Sequence, residues 1–221
     1  MKTLKLIEKG LKAILVFGLA FTLVHCSKDD SSSPPADTRL VLPATLENNT
    51  QMLVPDATQV TGVCGSATTP GSAENTVEIT ADGIIADPAK VSIEVDIDAT
   101  FGGEVVLELI TPSGQSAGLI KRIGATSDAG CGFNPKFITG NKLTFNSANA
   151  TLLAAPYASG NYAPTAGTST FPSAVAMTPL ATFLTDKNIK GIWKMKMYDC
   201  GVDDRVKLNS WKLKFDTGAL Q

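Results

Sequence analysis

Residues 91–98 read "VSIEVDID", with Val91, Ile93, Val95 and Ile97 on one parity and Ser92, Glu94, Asp96 and Asp98 on the other. Successive side chains of an extended chain point to opposite sides, so this stretch is a strand with one dry face and one wet face. "EVVLELI" at 104–110 repeats the rhythm with Val105, Leu107 and Leu109, then stops at the turn signal "TPSG". "GIWKMKMYD" at 191–199 and "NSWKLKF" at 209–215 set Trp193, Met195 and Met197, then Trp211, Leu213 and Phe215, between lysines. Strands with a single apolar face bury it by packing two sheets against each other. Helical periodicity is limited to one turn around "ATFLTD" (181–186), and connections such as "YASGNYAPTAGTSTFPSA" (157–174) are rich in glycine and proline. The expected fold is all-β, an antiparallel β-sandwich, with Trp193 and Trp211 in its core rather than lining a sugar site.

The N-terminus has a different grammar. "MKTLKLIEKGLK" carries Lys2, Lys5, Lys9 and Lys12 ahead of the apolar run "AILVFGLAFTLV", which ends at His25 and Cys26. A basic segment before about a dozen uncharged residues is an export signal, and a bilayer-spanning helix needs about 20. Leu23 three positions before Cys26 resembles the lipobox of bacterial lipoproteins, in which the cysteine becomes the lipid-bearing first residue; His25 departs from the small residue usual there. "SKDD" after Cys26 is similar to the surface-export signal of Bacteroidetes lipoproteins. The expected organisation is a signal peptide over 1–25, a lipidated Cys26 with a flexible tether over 26–50, and the sandwich over 51–217. The expected location is the cell surface, on an outer membrane, held by the lipid anchor.

That reading removes most enzymatic chemistry. The chain has one histidine, His25, and it leaves with the signal. Ser-His-Asp and Cys-His catalysis and zinc sites built on imidazole go with it. Ser113 in "TPSG" therefore has no base to activate it and is a turn residue. Four of the 19 basic and one of the 21 acidic residues lie in the signal, so the remainder carries about −5. A mildly acidic surface gives no electrostatic reason to bind nucleic acid.

Three blocks resemble the P domain, or P/Homo B domain, of proprotein convertases and bacterial secreted peptidases. "EVVLELITPSGQSAGLIKRIG" is similar to its strand, S/T-P-S-G turn and following strand. "LTFNSA" with "GNYAP" downstream is similar to its "TFDD" and G-x-Y-x-P segments. "GIWKMKMYDCGVDDRVKLNSWKLKF" resembles G-x-W-x-L-x-V-x-D, a loop, then L-x-S-W-x-L-x-F. "LVPDA" at 53–57 resembles the I-P-D at which such domains begin. The resemblance implies a jelly-roll, galactose-binding-like sandwich that is not itself an enzyme and acts beside a peptidase, helping it fold, stabilising it or docking it. Ala99 and Glu104 stand where the family often carries a histidine and an aspartate, so contacts made by those groups are not carried over. Other classes remain: a carbohydrate-binding or carboxylate-based glycan-acting protein, whose two acids would face each other about 5–9.5 Å apart, and a structural surface component that assembles with itself.

P domains can hold structural calcium, and Asp56, Asp199, Asp203 and Asp204 fall in expected loops, from which a hard cation could gather about six to eight oxygens. Beyond Cys26, the cysteines Cys64, Cys131 and Cys200 form an odd set in a compartment that allows disulfides, so one pair and one leftover thiol is the simplest outcome. The family layout implies that the loops holding Cys131 and Cys200 meet at one end of the sandwich, making these two the expected pair.

Overall fold

The alternating stretches become the central strands of two packed sheets. The computed structural model describes residues 39–58 and 64–221. The signal, Cys26 and most of the expected tether lie outside the described residues. Among the described residues no helix is long and apolar enough to cross a membrane.

The elements in chain order are β1 (Ala44–Asn48), β2 (Met52–Leu53), β3 (Gly71–Ile79), β4 (Val91–Ala99), β5 (Val105–Ile110), β6 (Ser116–Lys121) and β7 (Lys142–Asn146). There follow β8 (Gly160–Tyr162), β9 (Thr165–Ala166), the single helical turn α1 (Leu180–Leu184), β10 (Gly191–Asp199) and β11 (Val206–Phe215). One sheet runs β1-β11-β4-β7-β8, with β2 also on β11; the other runs β3-β10-β5-β6-β9. Ile93, Val95, Trp211, Leu213 and Phe215 of the first sheet meet Leu107, Leu109, Trp193, Met195 and Met197 of the second, all fully buried. Each such side chain contributes about 1.5–3 kcal/mol by leaving water. The lysines between them face outward, where Lys212 bridges Glu47 and Glu94 across three strands. The all-β sandwich is as expected.

Three details differ from the sequence reading. First, β1 lies inside the expected tether: Ala44 pairs with Phe215 and Asn48 with Trp211. Its five residues have their half-buried face on Ala44, Leu46 and Asn48, too short and too polar a stretch to announce a strand. The sandwich therefore begins before residue 51, and it continues past 217, because Ala219 is buried and its carbonyl accepts from the Ala86 N–H. Second, β8 pairs with β7 and β9 with β6 in parallel, so the sheets are mixed. Strands of two and three residues carry no readable period. Third, the two sheets are linked along their edges. On one, Asn48 Nδ2 donates to the Thr76 carbonyl at 2.7 Å and Asn75 Nδ2 to the Thr50 carbonyl at 2.9 Å, joining the sheets. On the other, the chain crosses between sheets from β8 to β9.

The two poles are distinct. Asp199 pairs with Gly71 and Val105, and Ala99 with Val206, at one pole. Ile79 with Gly191 and Val91 with Phe215 mark the other, where Leu40 donates its N–H to the Asp82 carbonyl as the chain enters. Residues 167–177 form a strap over the outer face of β5 and β6. Gly118 donates its N–H to the Ala176 carbonyl, and Lys121 Nζ donates to the carbonyls of Thr170 and Val175 at 2.8 and 2.7 Å.

Candidate metal centre

At the pole away from the chain's entry, four carboxylates come from four segments. Glu104 closes a 3-10 turn, Gly102–Glu104, that feeds β5. Asp199 is the last residue of β10, Asp204 lies in the loop to β11, and Asp56 follows β2. Backbone bonds hold the segments together: Cys200 donates its N–H to the Glu104 carbonyl at 3.1 Å and Ala57 donates to the Gly201 carbonyl at 3.1 Å. Two glycines permit the approach. A Cβ on Gly201 would overlap the Glu104 carboxylate, and one on Gly103 would strike the backbone of Cys131 and Phe133.

Glu104 and Asp199 expose 2% and 0% of their surface. Among the described residues Asp199 Oδ2 has no hydrogen-bond partner, although buried polar atoms nearly always have one; the Glu104 carboxyl is hydrogen-bonded to that of Asp204. The other oxygens are partly engaged. Asp199 Oδ1 accepts from the Gly201 N–H at 3.1 Å, Asp56 Oδ2 from the Asp203 N–H at 3.0 Å, and Asp204 Oδ1 from Thr100 Oγ1 at 2.8 Å. Burial, then the charge of Asp204 and a hydrogen bond shared with its carboxyl, then the charge of Asp199, push the Glu104 carboxyl up to about 8, against the pull of Arg122. Burial pushes Asp199 up to about 7, with Asp56 and Asp204 adding to it and the Gly201 N–H opposing. The donors are all oxygen, the type a hard cation takes, but among the described residues no three of these carboxylates bring an oxygen within 4.8 Å of one another.

Of the aspartates singled out in the sequence, Asp56, Asp199 and Asp204 meet here. Asp203, at φ 68, contributes its backbone N–H and turns the loop. Glu104 is the residue the sequence reading set aside. The Gly-Gly pair before it was the available signal, because two glycines ahead of a strand mark a close backbone approach.

The cysteine pairing is corrected. Cys64 is bonded to Cys131, their Cα atoms 5.0 Å apart, and Cys200 is a buried free thiol. The reason is strand parity. Trp193, Met195, Met197 and Asp199 of β10 share the buried parity, whereas Cys200 follows Lys194, Lys196 and Tyr198. It packs with Val106 and Val175 beneath the strap, flanked by Phe171 and Tyr198. Burial pushes its thiol up to about 12, which makes it inert.

No protein-family model matches the chain. No curated protein matches it either. Among solved structures, a serine protease of Aeromonas sobria is similar over 80% of this chain at 13% identity and a TM-score of 0.32. The same protease in complex with a chaperone is similar over 80% at 12% identity and 0.32. This chain spans 28% of the length of each of those chains.

Proposed function

We propose that the chain is a non-catalytic, cation-stabilised binding module of the P-domain type. It is displayed on an outer membrane from a lipid on Cys26 and acts beside a peptidase or another extracellular protein. The observation that carries the reading is the burial of Glu104 and Asp199, with Asp199 Oδ2 unpartnered among the described residues. Leaving such an atom without a partner costs about 1–3 kcal/mol, and a bare cation is small enough to reach it. Glu104, Asp199, Asp204 and Asp56 would hold the cation once their carboxylates close to within 4.8 Å of one another, which they do not do as a set here. Once bound, it supplies the positive charge that allows neighbouring carboxylates to ionise together.

Burial of the same two acids supports a binding role over a glycan-acting one. A hydrolytic pair holds a sugar ring between its carboxyls, and side chains exposing 2% and 0% leave it no entrance. The three motif blocks support the P-domain assignment, with β5, β6, β10 and β11 on the residues that carry them.

Melting the full chain in detergent with millimolar calcium or with a chelator tests the cation. Tm rises in calcium by linkage, and Glu104→Gln removes the rise; equal Tm values in calcium and chelator overturn it. Radiolabelled palmitate is incorporated by the wild type and lost in Cys26→Ala; an unlabelled wild type removes the anchor.

A further inference from the structure

Glu104 faces sulfur as well as oxygen. Its Oε1 lies 3.0 Å from Cys64 Sγ, which is bonded to Cys131 Sγ. A Glu104 oxygen and the two sulfurs all lie within 4.8 Å of one another. As a disulfide the sulfurs are neutral and poor ligands, since the thiolate is the form that binds metal.

Both cysteines are half-buried, open enough for a small dithiol to reach. Their segments are also pinned independently of the S–S bond. Gly65 donates its N–H to the Cys200 carbonyl at 2.9 Å and Ser66 to the Asp128 carbonyl at 2.8 Å. On the other side, Gly103 donates to the Phe133 carbonyl at 2.8 Å and Phe133 to the Ile123 carbonyl at 3.0 Å. Cleaving the disulfide therefore leaves two thiols beside the buried Glu104 carboxylate.

We propose that reduction of Cys64–Cys131 turns this pole into a Cys2Glu site for a thiophilic divalent cation of the zinc class. A dithiol supplies two electrons and two protons and becomes a disulfide, while Cys64 and Cys131 become thiols. Metal binding then displaces both thiol protons to solvent. Two thiolates and one carboxylate are three ligands of a tetrahedral zinc set, with the fourth position left to water. Cys200 takes no part, because it packs under the strap on the outer face of its sheet. The site shares Glu104 with the hard-cation reading but needs sulfur and reduction, and the two are told apart by their readouts, since the hard cation is read by the melting of the oxidised chain.

The test is cobalt(II) as a spectroscopic stand-in for zinc, added to the full chain in detergent on a Cys200→Ala background. Reduction uses a phosphine, which carries no sulfur and takes oxygen from water as it reduces the disulfide. The reduced protein gains thiolate-to-cobalt charge-transfer absorbance and tetrahedral d–d bands at one equivalent, and zinc displaces them. The oxidised protein does not, Cys64→Ser abolishes them, and Glu104→Gln weakens binding by about tenfold or more. The proposal is overturned by a reduced protein without bands, by bands in the oxidised or Cys64→Ser protein, or by Glu104→Gln binding as tightly as its parent. Loss of the β-sheet circular dichroism on reduction overturns it equally.

Discussion

Gly201 is the position at which the absence of a side chain matters most, because a Cβ there would occupy the Glu104 carboxylate. Gly201→Ala forces that carboxylate off its place in a packed pole. The expected loss is about 1–3 kcal/mol by overpacking, read as a lower denaturation midpoint with unchanged slope; a midpoint equal to wild type would show the pole to be loose. Cys200 shows what single residues could and could not say beforehand. Its parity along β10 was legible in "GIWKMKMYD" and puts it opposite to Asp199. What was not legible is the strap that buries it, since Phe171 and Val175 reach it only through the fold. Glu104 was hidden for a related reason: a lone glutamate after two glycines gains meaning only once Asp199 and Asp204 stand beside it.

Among the elements, the strap and β1 carry the next consequences. Asp128 ties the strap down by accepting from Thr170 Oγ1, the Thr170 N–H, Ser169 Oγ and the Phe171 N–H. The Thr170 hydroxyl first, then the Thr170 N–H and the other donors, hold its carboxyl below the usual range, with slight burial opposing. A carboxyl lowered in the folded state stabilises above its unfolded pKa near 3.8 and loses that contribution as pH falls through the folded value. The protection of the 169–175 amides against hydrogen exchange, corrected for the intrinsic rate at each pH, is therefore high at neutral pH and falls below about pH 4 before global unfolding; Asp128→Asn shows the low protection already at pH 7. Protection independent of pH and of the substitution would remove this tie. β1 gives the second expectation. A chain beginning at residue 51 leaves the β11 edge unpaired where Ala44–Asn48 should cover it, so it aggregates and melts below a chain beginning at 39; equal melting would make β1 dispensable.

The described residues form two packed sheets, with Leu40 bonded at one pole and the acids and disulfide at the other. The Cys64–Cys131 bond closes a loop of 67 residues spanning β3 to β6, for which the chain-entropy relation gives about 4 kcal/mol. Replacing both cysteines with serine lowers unfolding free energy by about that amount, whereas Cys200→Ala costs about 1 kcal/mol; the reverse order would contradict the pairing. The sequence alone determined the sandwich, because alternation in "VSIEVDID", "EVVLELI", "GIWKMKMYD" and "NSWKLKF" is a local property and a one-sided apolar strand has few ways to hide. It also settled that beyond His25 there is no imidazole. Only the tertiary structure decided which cysteines pair, that β1 belongs to the sheet, and that Glu104 joins Asp56, Asp199 and Asp204. Those outcomes depend on which loops meet at a pole, and proximity between segments far apart in the chain leaves no periodic trace in either of them.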